Sequence, residues 1–124
     1  MLSQEQKQYI LAEAYTHCVR QGQKAQDALG GCVYVNSAGH RCAIGAGMSA
    51  PTLKRFRNAD VSVRVLYGRG LRVLFGCAFD RTDLLFLREV QDAHDTALVA
   101  MKGAPNFAAS FGEAAKRFGL KLDQ

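Results

Sequence analysis

A glycine-bounded apolar stretch, residues 30–47, limits the folds that this sequence can adopt. It reads GGCVYVNSAGHRCAIGAG, with two short apolar runs on either side of Asn36-Ser37-Ala38-Gly39. Asn and Gly accept the positive φ angles of tight turns, and β-branched and aromatic residues suit pleated strands. The pattern predicts a β-hairpin with strands over residues 32–35 and 42–44. Because an isolated hairpin is not stable in water, other parts of the chain must cover it.

The register of this hairpin stays open, because a slip of one residue exchanges the two faces of each strand. A loop with an even number of residues groups four apolar side chains on the covered face, namely Val33, Val35, Cys42 and Ile44. A loop with an odd number, with Gly39 in a bulge, groups a different set, namely Cys32, Tyr34, Cys42 and Ile44. We expect the even loop, which makes the more uniformly apolar face and leaves Cys32, Tyr34 and Arg41 on the other.

Helix signals occupy both sides of the hairpin. Ser3 and Gln6 have the spacing of a capping box, and Gly22 is placed to end the helix that follows. Ser49 before Pro51 is typical of a helix start and predicts a short helix over residues 52–56. Residues 82–83 precede an amphipathic run over residues 84–95, which residues 97–102 extend. Asn106 then begins a last helix that Gly119 closes.

Residues 61–76 permit two interpretations. The valines at positions 61, 63 and 65 alternate with polar residues, which is the period of a strand, and a Gly-Arg-Gly turn would lead into a second strand over residues 71–75. Alternatively, Asp60 or Ser62 caps one short helix, and residues 71–75 form another that Gly76 ends.

With 124 residues and no linker or repeat, the chain fits one globular domain, residues 1–124. We predict a small, mainly helical α+β domain in which a short β-hairpin packs against the N- and C-terminal helices. The expected core consists of Ile10, Ala14, Cys18, Val33, Val35, Cys42, Ile44, Leu84, Leu87, Val90, Phe107, Phe111 and Phe118. No apolar stretch resembles a signal peptide or a membrane span, so we expect a cytoplasmic protein with no membrane partner.

Basic residues are concentrated between positions 54 and 72, where Asp60 is the one acid, whereas residues 82–95 are mainly acidic. The formal net charge of +5 permits an acidic protein partner or a nucleic acid without requiring either. Arginine suits bidentate recognition of carboxylate or phosphate. We therefore predict a binding surface on this segment and on the exposed side of the hairpin, formed by Tyr34, Arg41, Arg55, Arg57, Arg64, Arg69 and Arg72. The alternative is a solvated face, or two segments that neutralise one another.

Four cysteines and three histidines suggest metal binding or catalysis, but their spacing does not. No Cys-x-x-Cys pair is present, and the grouping of Cys32, His40 and Cys42 with Cys77 or Cys18 lacks zinc-site spacing. His94 shares the apolar face of Leu87 and Val90, which indicates a packing histidine bonded to a backbone carbonyl. Its neighbour Asp95 points about 100° away along the helix and should not orient the ring. We expect no metal, no cofactor, no catalytic residue and no enzymatic activity.

Five features together resemble a family of small bacteriophage and prophage proteins. These are Cys32-x-Tyr34, a polar turn with Gly39, Cys-Ala-Ile-Gly-Ala-Gly-Met at 42–48, the helix at 86–95 with Gln-Asp-Ala-His-Asp, and the closing helix at 107–120. The resemblance spans most of the chain. It departs from the family pattern at Val35, where arginine is usual, at residues 48–51, where a Leu-Ile-Pro-Asp stretch is usual, and at residues 59–60.

The resemblance implies short helices across residues 61–76, and we adopt that interpretation. It brings no enzymatic activity, and it implies a phage context in the host cytoplasm. The leading hypothesis is an accessory protein that binds an acidic host or phage protein, inhibiting a host defence in the manner of an anti-CRISPR protein, or another host system. A small nucleic-acid-binding module that uses residues 54–72 is the alternative. A hydrolase or transferase with a Cys/His site is the third.

Overall fold

Five α-helices form the framework of the computed structural model, which describes residues 1–57, 62–99 and 103–122. The helices are α1 (Gln4–Gln21), α2 (Ala50–Arg55), α3 (Val63–Gly68), α4 (Leu84–Asp95) and α5 (Phe107–Arg117). Two 3-10 turns, Gly45–Gly47 and Arg81–Asp83, and two short antiparallel strands, β1 (Val73–Leu74) and β2 (Cys77–Ala78), complete the described elements. The predicted α+β, mainly helical class is confirmed.

The helix boundaries follow local signals in the sequence. Ser3 and Gln6 form both hydrogen bonds of the predicted capping box, and Gly22 ends α1 in the left-handed conformation with φ of 73°. Ser49 accepts from the amide of Thr52 at the start of α2, and Asn106 accepts from the amide of Ala109 at the start of α5. α4 ends at Asp95, so the predicted extension is wrong for residues 97–99, and residues 100–102 lie outside the described part.

The core lies where α4 packs against both α1 and α5. Phe111 is fully buried there, and its ring lies between Tyr15 at 5.5 Å and Phe107 at 6.3 Å, measured between ring centres. Of the predicted core residues, three are only partly buried, namely Val35, Leu84 and Phe118, and the other ten are buried. No helix in the described ranges is both long and apolar enough to cross a bilayer.

The stretch that was predicted as a hairpin folds back on itself without forming regular strands. Val35 and Arg41 make one antiparallel bridge, and the amide of Cys42 donates to the carbonyl of Tyr34 at 3.2 Å. The side-chain oxygen of Asn36 accepts from two amides of the turn, at positions 38 and 40, and Gly39 has φ of 84°. The loop is therefore odd, with Gly39 in the left-handed position, and our preference for the even register is wrong.

This folded stretch, which we call the 32–44 loop, lies between α1 and α4. The Gln21 side chain accepts from the amide of Arg41 at 2.7 Å and donates to its carbonyl at 2.9 Å. On the opposite side, the Gln91 side chain of α4 accepts from the amide of Ile44 at 3.1 Å. The two glutamines replace the backbone partners that neighbouring strands would supply, so the loop is held by helices on both sides.

Residues 62–78 combine the two interpretations left open by the sequence. Ser62 caps α3 through the amide of Val65, as the helical interpretation expects. Residues 71–75 are not helical, because β1 turns into β2 through Phe75 and Gly76, whose φ angles are 53° and 73°. Two positive φ angles fit a tight hairpin turn. The Phe75 amide donates to the carbonyl of Gly47 at 2.8 Å, which anchors this turn beside the first 3-10 turn. Residue 61 lies outside the described part.

Candidate functional site

Three of the predicted arginines meet at the end of α3. The guanidinium of Arg55 donates to the carbonyl of Arg69. The guanidinium of Arg72 lies 3.8 Å from the centre of the Tyr67 ring and donates to the Tyr67 carbonyl at 2.5 Å. All three arginine side chains are exposed. Because backbone carbonyls and an aromatic face hold Arg55 and Arg72, their guanidinium groups have a defined position on the surface while keeping their charge.

A second group of cations surrounds an apolar pocket between the 32–44 loop and α2. Arg41, Lys54 and Arg57 line a cavity of about 280 Å³ together with Val35 and Leu53. Lys54 and Arg57 are exposed, and Arg41 is half-buried. The fold therefore brings Arg41 and Arg57, two predicted site residues that are distant in sequence, to one pocket. Lys54, which the predicted site did not include, lies there as well.

Arg64 lies apart from the other predicted arginines. It lines a shallow groove with Arg88, Leu84 and Leu85, where α3 approaches the start of α4. Leu85 is 59% exposed, which places an apolar side chain between two guanidinium groups. The sequence grouped Arg88 with the acidic segment, and only the packing of α3 against α4 brings it to Arg64.

Tyr34 does not belong to this surface. Its side chain is 3% exposed, and the odd register turns it inward with Cys42, so its predicted exposure is wrong. Burial raises the pKa of its hydroxyl well above the ordinary range. As a buried side chain of the 32–44 loop, Tyr34 contributes to the fold and offers no contact to a partner.

The charges of this surface are not neutralised by the acidic helix. Among the described residues, the ion pairs within 4 Å involve the terminal ammonium with Asp80 and Asp83, Arg88 with Asp92, and Arg117 with Glu89, and the His94 ring contacts Asp95. None of the predicted arginines takes part in these pairs. The alternative in which the two segments neutralise one another is therefore not realised within the described ranges.

A different cluster forms where the 32–44 loop meets the end of α4. Nδ1 of His94 and Oδ1 of Asp95 are 2.7 Å apart, and the Gln91 side chain donates to the same carboxylate oxygen at 2.9 Å. The sulfur of Cys32 lies within 4.8 Å of a carboxylate oxygen of Asp95. We call these residues, Cys32, Gln91, His94 and Asp95, the Asp95 cluster. The prediction that Asp95 does not orient the His94 ring is wrong, because both side chains are long enough to meet although their Cα–Cβ bonds diverge.

The hydrogen bonds of His94 determine its tautomer. The ring is fully buried, and its Nε2 accepts from the amide of Ala25 at 3.1 Å, where a backbone carbonyl was expected. Nε2 therefore carries a lone pair, so the proton is on Nδ1 and is donated to Asp95. Gln91 and Asp95 are four residues apart on α4, a spacing at which such side chains interact on one helix face. That spacing was the sequence signal for this cluster.

The cluster does not hold an activated nucleophile. Burial, and after it the nearby Asp95 carboxylate, raises the pKa of the Cys32 thiol to about 11, so the thiol is protonated at neutral pH. The nitrogen that would act as a base, Nε2 of His94, already accepts from Ala25. Cys32 and Asp95 face a cavity of about 240 Å³ that Arg88 and Asp92 also line. Burial raises the pKa of Asp92, Arg88 opposes this rise, and Asp95 adds to it.

Metal coordination is also constrained by these bonds. Cys32, His94 and Asp95 place one ligand atom each within 4.8 Å of one another, and they are the one such group among the described residues. The set considered from the sequence, around His40 and Cys42, does not come together there. A metal on Nδ1 of His94 would force the proton to Nε2, directly against the Ala25 amide. These residues fit a hydrogen-bonded structural cluster better than a metal site.

Comparison of the chain with protein-family models, with curated proteins and with solved structures found no match. The resemblance to phage proteins therefore stays a prediction that rests on the sequence motifs alone.

Proposed function

We propose that this protein acts by binding, as a phage-type accessory protein whose arginine surface engages an acidic patch on a host protein and inhibits a host defence or another host system. The observation that carries this proposal is a set of surface cations without carboxylate partners among the described residues, namely the half-buried Arg41 and the exposed Lys54, Arg55, Arg57, Arg64, Arg69 and Arg72. Fields from such a surface speed encounter with an acidic partner and disfavour partners of like charge.

The fixed positions of some of these cations support recognition of a specific partner, which a merely solubilising surface would not need. Arg55 and Arg72 are held by backbone carbonyls and by the Tyr67 ring, so less side-chain entropy is lost when a partner binds. Arginine is also enriched among the residues that contribute most to binding energy at protein interfaces. The protonated thiol and the occupied histidine of the Asp95 cluster supply no catalytic pair, which is consistent with a non-enzymatic role.

A protein partner is favoured over a single-stranded nucleic acid by the lack of a stacking platform among these arginines. Proteins that bind single strands combine basic grooves with aromatic rings on which bases stack. Tyr67 is half-buried, and the guanidinium of Arg72 covers one face of its ring at 3.8 Å. The arginines can therefore bind carboxylates or phosphates, but in the described part of the chain no free aromatic ring lies beside them on which a base could stack.

Charge reversal with a matched control tests the proposal. The variant Arg64→Glu, Arg69→Glu, Arg72→Glu changes the basic surface, and Arg20→Glu, Lys116→Glu, Lys121→Glu changes the net charge equally at exposed positions elsewhere. Both should remain folded by circular dichroism, because exposed substitutions usually change stability by about 0.5 kcal/mol or less.

The tagged protein is expressed in a bacterial host, and any partner that copurifies with it is identified. The rate of association with that partner is then measured at several salt concentrations. We expect the surface variant to associate more slowly by about tenfold or more at low salt, with a weaker salt dependence, and the control variant to resemble the wild type. Equal capture and equal salt response of the folded surface variant would refute the proposal. Recovery of nucleic acid alone would establish the alternative.

A further inference from the structure

The pocket between the 32–44 loop and α2 combines an apolar floor with a basic rim. Val35, Leu53 and the exposed Ala50 supply apolar surface in a cavity of about 280 Å³. Arg41, Lys54 and Arg57 supply the rim. A site of this composition fits a ligand with an aliphatic body and an anionic group beside it, since each part of the ligand meets its complement.

The two walls of the pocket come from elements that are fixed independently. On one side, Val35 and Arg41 form the antiparallel bridge of the 32–44 loop, and Gln21 of α1 binds both backbone groups of Arg41. On the other side, Leu53 is 6% exposed and anchors α2 in the core. The cavity is therefore present before any ligand binds, and little conformational entropy is lost on binding.

The rim cations are available to a ligand. Arg41, Lys54 and Arg57 take part in none of the ion pairs of the described residues. Three like charges around one cavity repel one another, and an anion relieves this repulsion. A carboxylate at the rim would also accept hydrogen bonds from guanidinium groups in the geometry that arginine favours.

We propose that this pocket anchors an aliphatic side chain flanked by carboxylates, within an acidic and apolar segment of the partner protein. This proposal rests on the proposed function. It assigns to the pocket the recognition of an apolar side chain in the partner, whereas the arginines at the end of α3 recognise only charge. The groove lined by Arg64, Arg88 and Leu85 repeats the combination of apolar and basic side chains, so a longer segment of this composition has a second place to bind.

Three short capped peptides serve as probes in titrations of the isotope-labelled protein, observed by the amide resonances of the folded chain. In the first peptide, leucine and glutamate alternate. In the second, serine replaces every leucine, and in the third, glutamine replaces every glutamate. We expect only the first to shift the resonances of Val35, Arg41 and Leu53 at concentrations that leave the two control peptides without effect.

Filling the pocket distinguishes this proposal from general attraction between opposite charges. Ala50→Leu places added bulk in the cavity without changing any charge, and Ala12→Leu adds the same bulk to an exposed position of α1. We expect Ala50→Leu to weaken binding of the first peptide at least tenfold, equivalent to about 1.4 kcal/mol, and Ala12→Leu to leave it unchanged. The dispersion of the amide spectrum reports whether each variant is folded.

A second pair of variants covers the case in which Ala50→Leu does not fold. The double variant Lys54→Gln, Arg57→Gln should weaken binding of the first peptide more than the double variant Arg69→Gln, Arg72→Gln does. The second variant removes the same amount of charge outside the pocket. Equal binding of the serine peptide, or equal effects of the two neutralising pairs, would overturn the pocket while leaving the proposed function standing. Absence of shifts with the first peptide, or shifts at these residues caused by a thymidine oligonucleotide instead, would overturn the pocket proposal as well.

Discussion

Replacement of His94 by phenylalanine tests whether the Asp95 cluster stabilises the fold. Phenylalanine retains an aromatic ring that can stack on Phe107, whose ring centre lies 6.0 Å from that of His94 with 17° between the planes, although the new ring is larger by one atom. The substitution removes two polar contacts, the acceptor for the Ala25 amide and the donor to the Asp95 carboxylate. The measured change therefore reports the lost hydrogen bonds together with the packing cost of the larger ring.

The loss expected from hydrogen bonding is the sum of two unequal terms. The Ala25 amide is buried and would be left without a partner, which costs about 1–3 kcal/mol. Asp95 would lose a charge-assisted bond, but its side chain is 32% exposed and keeps the Gln91 contact, so water offsets part of that loss. We expect His94→Phe to lower the free energy of unfolding by about 2–4 kcal/mol, a large share of the stability of a small domain.

Urea denaturation followed by circular dichroism measures this difference, with His40→Phe as the matched control. His40 is half-exposed, and its ring contacts the side chains of Gln23 and Asn36, which water can also satisfy. The control should lose no more than about 0.5 kcal/mol. A His94→Phe variant that unfolds at the same midpoint and slope as His40→Phe would refute the role given to the cluster.

Three further changes test the packing and the electrostatics. Phe111→Ala should lose about 3–5 kcal/mol in the same denaturation experiment because the ring is fully buried, and a loss below about 1 kcal/mol would show that the site is not a packed core. Gly45→Ala should lose about 1–3 kcal/mol, since its Cβ would lie 2.1 Å from the Tyr34 carbonyl oxygen, whereas Gly112→Ala, with nothing within 4 Å, should be neutral or stabilising in the same measurement. The terminal ammonium, and after it the Thr82 hydroxyl, lower the pKa of Asp80 from 3.8 to about 2. The stability that this carboxylate contributes is therefore complete above pH 4 and is lost as the pH falls toward 2, and Asp80→Asn should remove that part of the acid sensitivity in thermal melts.

Sequence alone determined the features whose physical cause lies within a few residues. The capping box of Ser3, the cap at Asn106 and the left-handed Gly22 each satisfy backbone groups of their own helix end. The inward faces of α1, α4 and α5 followed from apolar spacing, since a helix repeats every 3.6 residues whatever it packs against. The concentration of arginines in one segment could also be seen directly, although not the three groups into which the structure divides them.

Tertiary structure decided what depends on contacts between distant segments. Both registers of the 32–44 loop offered an apolar face, so the sequence could not choose between them. In the folded chain the odd register is the one that Gln21 of α1 and Gln91 of α4 hold by hydrogen bonds, and it buries Tyr34. The left-handed Phe75 depends on its place against Gly47, 28 residues earlier in the chain. The approach of Cys32 to Asp95 and the pocket between the 32–44 loop and α2 likewise join side chains that helical or strand periodicity cannot relate. A periodic pattern reports which face of an element is apolar, whereas the partner of that face is selected by packing of the whole chain.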